Sequence, residues 1–164
     1  MAKKGNKKKL DEPPRIVNRK ARHDYHIDSV VECGIVLQGT EVKQLRLGQA
    51  QMSDAYARID RGELYLYGIH IDPYGHASDY HNHAAKRVRK LLAHKREIRR
   101  LEDATRERGV TLVPTVLYFK DGRAKVELGV ARGKKTHDKR EDLKRKVAER
   151  EISRTMSKQL RGGL

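Results

Sequence analysis

Two segments joined by Asp121-Gly122 constrain the fold more than any other feature of the sequence. Residues 111–120 and 123–130 are rich in β-branched, aromatic and other apolar residues, which favours strands. Asp-Gly is one of the dipeptides that best form the two-residue turn of a β-hairpin. The sequence therefore predicts a long antiparallel hairpin, and with it a fold that contains a sheet.

Further segments extend the predicted sheet. Residues 55–60 and 64–69 flank Arg61-Gly62 and predict a second hairpin. Residues 18–37 read as extended chain, because polar and apolar residues alternate there, with a bulge or bend at Gly34. About five or six antiparallel strands are expected in total.

Two helices are predicted among these strands. Residues 40–47 form the short one, which Thr40 caps and Gly48 ends. Residues 86–108 form the long one, because large apolar residues recur at near-helical spacing and a glycine follows. The pattern predicts a mainly β fold, an OB-like antiparallel barrel of about six strands with one short and one long flanking helix.

The distribution of charge indicates a polyanionic partner. Residues 1–22 carry nine Lys or Arg and two acids, and residues 132–164 carry twelve and five. Residues 86–108 carry a third excess, ten against four, while the rest of the chain is slightly acidic. A charge run is commonly only a solvated surface, but three basic blocks on one small chain favour nucleic acid.

The chain divides into three regions on this basis. Residues 1–15 are expected to be a disordered basic arm, because they have little to bury. Residues 16–131 hold the barrel. Residues 132–164 form a basic tail with few large apolar residues, which we expect to be largely unfolded alone and helical against a partner.

The residue types exclude several kinds of site. The single cysteine, Cys33, excludes an intramolecular disulfide and a multi-cysteine metal cluster and favours a reducing compartment. Residues 129–136 end in Gly-Lys-Lys-Thr but lack the glycine spacing of a phosphate-binding loop. No apolar run approaches the roughly 18 residues of a membrane span, and no apolar signal segment follows the basic N-terminus. We expect a cytoplasmic protein with no membrane partner.

The histidines of one predicted loop do not indicate a metal. His76, His81 and His83 lie in the predicted loop of residues 73–85 and His70 lies shortly before it, without a thiolate or a nearby acidic pattern. A zinc site takes tetrahedral ligands from fixed elements. We therefore expect no metal and no other cofactor. No nucleophile, acid and base form a recognisable constellation either, so an enzyme is not expected.

RNA is the preferred polyanion. No helix-turn-helix or zinc-finger pattern is present, which disfavours DNA. Barrels that bind RNA carry bases and a few aromatic residues on an exposed face. Most strand tyrosines pack half-buried, but several rings alternate here with basic residues: His23, Tyr25, Tyr56, Tyr65, Tyr67 and Tyr118.

Four runs of residues, in order along the chain, closely resemble the small protein B family. They are NRKARHDY at 18–25, GIVLQGTEVK at 34–43 with Leu45-Arg46, RKLL at 89–92 with HKRE at 94–97, and GVARGKKTHDKR at 129–140. The resemblance implies an OB-like barrel that binds the tRNA-like domain of tmRNA (SsrA RNA) and delivers it to stalled ribosomes in trans-translation. It also implies that the protein is a monomer. Further partners implied by the resemblance are the ribosomal RNA of the small subunit and elongation factor Tu in complex with aminoacyl-tmRNA.

The resemblance also implies two sets of site residues. The tmRNA-binding set comprises Asn18, Lys20, Arg22, His23, Tyr25, Glu32, Lys43, Arg46, Lys90, Leu92, Arg96 and Lys125. The set for the decoding centre and the empty message channel comprises Gly133, Lys134, Lys135, His137, Asp138, Lys139 and Arg140.

Two questions stay open at this point. Glu32 would repel phosphate, so it is either an ordinary exposed strand residue or one that accepts hydrogen bonds from base edges or positions a neighbouring cation. The basic tail also fits a ribosome-associated structural protein that binds ribosomal RNA. The four runs favour the tmRNA-binding interpretation.

Overall fold

A computed structural model of the chain describes residues 13–75, 77 and 82–161. Within these residues there are nine strands and four helices. The strands are β1 Ile16–Val17, β2 Tyr25–Ile35, β3 Ala50–Gln51, β4 Tyr56–Asp60, β5 Glu63–Tyr67, β6 His70–Ile71, β7 Arg89–Leu92, β8 Val110–Lys120 and β9 Arg123–Gly133. The helices are α1 Arg19–Asp24, α2 Gly39–Arg46, α3 Lys95–Thr105 and α4 Thr136–Arg161.

Six antiparallel strands form a closed ring. Their order is β8-β4-β5-β7-β2-β9, and the pairing of β8 with β9 closes it. Strand β1 adds to β8 from outside this ring, where Ile16 pairs with Leu117, and β3 and β6 form a separate small sheet. The predicted antiparallel barrel is confirmed.

Both predicted hairpins are present, and their turns lie at the predicted dipeptides Asp121-Gly122 and Arg61-Gly62. Asp121 and Gly122 have φ values of 50° and 73°, and Arg61 and Gly62 have values of 50° and 75°. Positive φ at both central residues is the geometry that matches the twist of two antiparallel strands. The second residue of each turn is glycine, which adopts this conformation without strain.

Two details of the predicted strand at residues 18–37 are wrong. Residues 19–24 form a one-and-a-half-turn helix, α1, because the Asn18 side chain accepts a hydrogen bond from the Ala21 amide and starts a helix there. The bulge lies between Ile27 and Ser29 and not at Gly34, which pairs regularly on both sides.

The predicted long helix over residues 86–108 is also wrong in its first half. Residues 89–92 are strand β7, in which the alternate residues Arg89 and Leu91 are buried. Pairing with β5 on one side and β2 on the other completes the ring, and this tertiary pairing outweighs local helix propensity. The helix is α3 alone, with 11 residues.

The short helix α2 lies where it was predicted, but Thr40 does not cap it. The Thr40 hydroxyl lies 2.9 Å from His83 Nδ1, and the helix begins one residue earlier. The first turn is closed instead by Glu41, whose carboxylate accepts a hydrogen bond of 2.7 Å from the Gln38 amide. Gly48, with a φ of 75°, follows the helix as expected.

A buried charge cluster joins α2 to the barrel. The Glu41 and Arg89 side chains are both fully buried, and Arg87 is about one-quarter exposed. Arg89 Nε donates to Glu41 Oε1 at 2.8 Å, and its terminal nitrogens donate to the carbonyls of Ile69, Arg87 and Ala85. Leucines of the strands and helices, among them Leu45, Leu66, Leu101 and Leu128, fill the rest of the core.

Candidate nucleic-acid interface

Four residues from four neighbouring strands form a row across the outer face of the barrel. Leu92 pairs with Gly34, Gly34 pairs with Lys125, and Lys125 pairs with Tyr118. Their chain neighbours Leu91, Cys33 and Val126 are buried, so alternation along each strand directs the row outwards. We call Leu92, Gly34, Lys125 and Tyr118 the outer row.

Leu92 has the exposure of a surface residue. Its side chain is 53% exposed, whereas Leu91 beside it is 1% exposed. A Cβ placed on Gly34 would lie 3.3 Å from Leu92 Cβ, so the glycine leaves room for the leucine to lie flat across β2. An exposed leucine between basic residues offers an apolar surface to a ligand and contributes little to the core.

Glu32 lies beside the outer row, where it accepts a hydrogen bond from a tyrosine and pairs with two lysines. The Tyr118 hydroxyl donates to Glu32 Oε2, Lys120 Nζ lies 3.2 Å from the same oxygen, and Lys125 Nζ lies 3.5 Å from Oε1. The Tyr118 hydrogen bond and then that of Lys120 lower the pKa of Glu32. The same hydrogen bond raises the pKa of Tyr118 to about 12, so the phenol stays protonated and donating at neutral pH.

The Glu32 carboxylate on this basic surface therefore already interacts with donors of the protein itself. Glu32, Leu92 and Lys125 are 33 to 93 residues apart in sequence but share one face. The geometry supports the open alternative in which Glu32 positions its neighbours, since both carboxylate oxygens are engaged by Tyr118 and the two lysines.

Asn18 lies inside the protein. Its side-chain amide donates to the carbonyls of Met52 and Pro114 at 2.8 and 3.0 Å, and its oxygen caps α1. It is 5% exposed. Asn18 therefore fixes α1 against β8, and a direct contact between its side chain and RNA stays a prediction.

Helix α1 forms a second basic region, at the other end of β2. Arg22 and His23 are exposed on α1, His23 Nδ1 lies 2.9 Å from Asp24, and Lys20 pairs with Asp54 at 2.7 Å. Tyr25 packs half-buried against Ala21, Val113 and Ala131. From Tyr25 to Glu32 along the strand is roughly 23 Å at about 3.3 Å per residue. Two groups of predicted tmRNA-binding residues, one at the outer row and one on α1, thus lie at opposite ends of β2.

The remaining predicted cations lie around the barrel on three elements. Lys43 and Arg46 on α2 lie over the rings of Tyr74 and Phe119, at 4.6 and 5.7 Å from the ring centres. Lys90 on β7 forms an ion pair with Glu63. Arg96 is exposed in the first turn of α3, a turn that lies close to β2.

The link between α3 and β2 is visible in the chemistry of Cys33. Burial raises the pKa of the Cys33 thiol to about 11, and the nearby Glu97 carboxylate adds to the shift. A buried, protonated thiol is unreactive.

The tail starts beside α1. The Lys134 amide donates to the Asp24 carbonyl at 2.9 Å and Lys134 Nζ donates to the Arg22 carbonyl at 3.1 Å. Strand β9 ends at Gly133, and the Lys135 amide donates to Asp138 at the start of α4. His137 and Lys139 belong to α4, and their side chains lie outside the described residues, whereas Arg140 is exposed.

Sequence reasoning missed Arg15 and Lys120 on this face, and it missed Phe119 between Tyr118 and Lys120, which packs partly against the core under Arg46. Arg15 lies over the Tyr118 ring at 5.1 Å and pairs with Glu127 at 3.6 Å. In the sequence, Tyr118 is one of several tyrosines that alternate with basic residues. Its position three residues before Asp121-Gly122, on the hairpin that faces Glu32, was the available signal.

The histidine loop lies partly outside the described residues, which exclude His76 and His81. His70 pairs with Asp72 at 3.0 Å, and the buried His83 contacts Thr40 and the Ile71 carbonyl. In the part of the chain that the structure describes, no three His, Cys, Asp or Glu residues could hold a metal ion. No helix there is long and apolar enough to cross a membrane.

Comparison with known proteins gives concordant matches. The family model described as SmpB protein matches residues 15–158. An SsrA-binding protein of Geobacillus thermodenitrificans is 56% identical over 137 residues, which cover 84% of this chain and 88% of the relative. An SsrA-binding protein of Syntrophobacter fumaroxidans is 54% identical over 151 residues, covering 91% and 93%.

A solved structure is similar as well. It is described as "tmRNA-SmpB: a journey to the center of the bacterial ribosome", and one of its chains matches with a TM-score of 0.65 and 51% identity. The match covers 75% of this chain and 86% of the solved one.

Proposed function

The chain belongs to the SmpB protein family, and from that premise we propose that it binds the tRNA-like domain of tmRNA and delivers it to stalled ribosomes. Its role is RNA binding and not catalysis, and its place of action is the cytoplasm. One observation supports placing the RNA-binding site on the outer face of the barrel. Leu92 and Lys125, from distant parts of the sequence, meet in the outer row with Glu32 beside them.

This surface combines the two kinds of contact that folded RNA offers. Lys125 and Lys120 supply positive charge for phosphate, and the exposed Leu92 supplies an apolar face for a base or sugar. Glu32 draws both lysines towards one point of the surface. The cations are thereby positioned before RNA arrives, which reduces the entropy lost on binding.

Gel shifts with tmRNA and a control RNA of matched length test this proposal. Affinity for tmRNA should fall steeply with salt, with a log–log slope of roughly −0.7 to −0.9 per neutralised phosphate. Lys125→Ala should weaken binding by about 1–3 kcal/mol. Arg58→Ala is the matched control, because Arg58 is an exposed cation on β4, on the far side of the ring. Equal affinity for the two RNAs contradicts the proposal.

For the tail, we propose that residues 132–164 enter the decoding centre and the empty message channel and are ordered there. Helix α4 spans 26 residues, and those of its large apolar side chains that the structure describes are exposed: Leu143, Val147, Ile152 and Met156. Packing therefore adds little to the stability of the helix. Neutralisation of its basic residues by ribosomal RNA phosphate would offset the cost of ordering.

A truncated protein separates this proposal from a structural role in which the tail only anchors the chain to ribosomal RNA. Truncation after Ala131 would also remove the β9 pairs of Arg132 and Gly133, so truncation after Lys135 is the cleaner variant. It should bind tmRNA nearly normally but support no peptide tagging in a reconstituted translation reaction. A His137→Ala, Lys134→Ala double variant should behave alike. Tagging by the truncated protein favours the anchor.

A further inference from the structure

An open cleft lies at one end of the outer row. Its volume is about 830 Å³, and its walls are the chain at Pro13–Arg15, the end of α2 and the β8–β9 turn. Clefts of roughly 300–1,000 Å³ hold small organic ligands. The cleft is large enough for a nucleotide, and no residue of the predicted tmRNA-binding set other than Arg46 lines it.

Three cations reach this cleft, and two of them lie over aromatic rings. Arg15 lies 5.1 Å from the centre of the Tyr118 ring, and Arg46 lies 5.7 Å from that of Phe119. The third is Lys120, whose side chain is 57% exposed. Guanidinium planes and aromatic rings are the surfaces on which proteins stack unpaired bases.

The acids of the cleft do not cancel this charge. Glu127 pairs with Arg15 at 3.6 Å, and Asp121 lies in the turn. Lys120 also pairs with Glu32, which Lys125 shares. With these two residues of the adjoining surface included, four cations stand against three acids. The Arg46 guanidinium lies over the Phe119 ring, which carries no charge and therefore does not neutralise it. A phosphate at the mouth would meet net positive charge.

Tyr118 connects the cleft to the outer row. Its ring forms one wall under Arg15, and its hydroxyl reaches out to Glu32. It also pairs with Lys125 across β8 and β9. RNA that lies along the outer row therefore comes directly to the cleft.

We propose that this cleft receives one unpaired nucleotide of the bound RNA. Arg15 and Lys120 contact its phosphate, and its base stacks against the Arg46–Phe119 pair. The inference rests on the proposed function, because it assumes that RNA lies on the outer row. It adds Arg15 and Phe119 to the binding residues and assigns the phosphate contact of Lys120 to the cleft.

Three single variants, Arg15→Ala, Arg46→Ala and Lys120→Ala, test the inference in the full chain, with tmRNA as the probe. Each should lower affinity about five- to hundredfold. Arg15→Ala and Lys120→Ala should also reduce the slope of log affinity against log salt by about 0.7–0.9, whereas Arg46→Ala, which removes a stacking surface, should leave that slope unchanged. Arg58→Ala should stay within about twofold of the wild type. The three side chains are exposed, so melting temperatures should not change.

Ultraviolet crosslinking of the complex, followed by peptide mass spectrometry, provides the second measurement. A nucleotide in the cleft should leave adducts on Tyr118 or Phe119. Unchanged affinity in all three variants, with adducts only elsewhere, overturns the inference. The proposed function survives that result if the wild type still prefers tmRNA and Lys125→Ala weakens binding. A wild type without preference for tmRNA overturns both.

Discussion

Replacing Glu41 by glutamine should destabilise the barrel far more than an ordinary acid-to-amide change. The Glu41 carboxylate accepts hydrogen bonds from Arg87, Arg89 and the Gln38 amide, and both it and Arg89 are fully buried. Glutamine keeps one acceptor but turns an NH₂ group towards donors and leaves Arg89 without a counter-charge. Breaking a buried pair in this way costs about 3–5 kcal/mol.

The assay is thermal unfolding followed by circular dichroism. For a chain of this size, 1 kcal/mol lowers the melting temperature by roughly 2–4 °C, so Glu41→Gln should lose about 6–20 °C. Glu63→Gln is the matched control, since Glu63 pairs with Lys90 on the surface and such pairs contribute about 0–1 kcal/mol. Equal melting temperatures for the two variants would refute the reasoning.

The pH dependence gives an independent check of the same carboxylate. Burial raises the pKa of Glu41, but the hydrogen bonds and charges of Arg87, Gln38 and Arg89 outweigh it and lower the pKa below the ordinary value of 4.5. The stabilisation is therefore complete above about pH 4.5 and is lost as the pH falls through the folded-state pKa. The difference between wild type and Glu41→Gln should be constant near neutrality and shrink under acid.

Three further experiments test the assignment of surface and core residues. Leu92→Ala should weaken tmRNA binding without lowering the melting temperature, whereas Leu91→Ala should lose about 2–5 kcal/mol of stability; a joint loss of both properties in Leu92→Ala makes it structural. Asn18→Ala should lower melting temperature and affinity together, because it removes the cap of α1, and a loss of affinity alone would indicate direct contact with RNA. Glu32→Gln and Tyr118→Phe should be non-additive in a double-mutant cycle of binding, and additive effects would mean that Glu32 does not position Tyr118.

Local signals were sufficient for the hairpins and for α2. Asp121-Gly122 is a dipeptide that favours its turn, and Gly62 readily adopts the positive φ that the Arg61-Gly62 turn requires. Strand β7 was missed because Leu91, Leu92, Ile98 and Leu101 fit a helical period when they are read as one segment. Buried and exposed residues in fact alternate along β7. The buried residue two positions before Leu91 is Arg89, and an arginine is normally taken for a surface residue.

The resemblance proposes which residues form the candidate site but not how they are arranged. The resemblance supplied Glu32, Leu92 and Lys125, but their proximity depends on the register of β2 with β7 and β9, which is set by tertiary pairing. The division between the outer row and α1 follows from the length of β2. Arg15 was missed because its role depends on lying over Tyr118, about 100 residues away in sequence.

The order of strands in the ring also has a consequence for synthesis. Strand β2 is complete at residue 35, but its main partner β9 begins only at residue 123. At about 5–20 residues per second, the ribosome needs roughly 4–18 s to make the chain between them. During that time one edge of β2 is unpaired and open to association with other chains. Variants that weaken the pairing of β9 should therefore reduce the soluble yield during expression even where the melting temperature of the purified protein changes little.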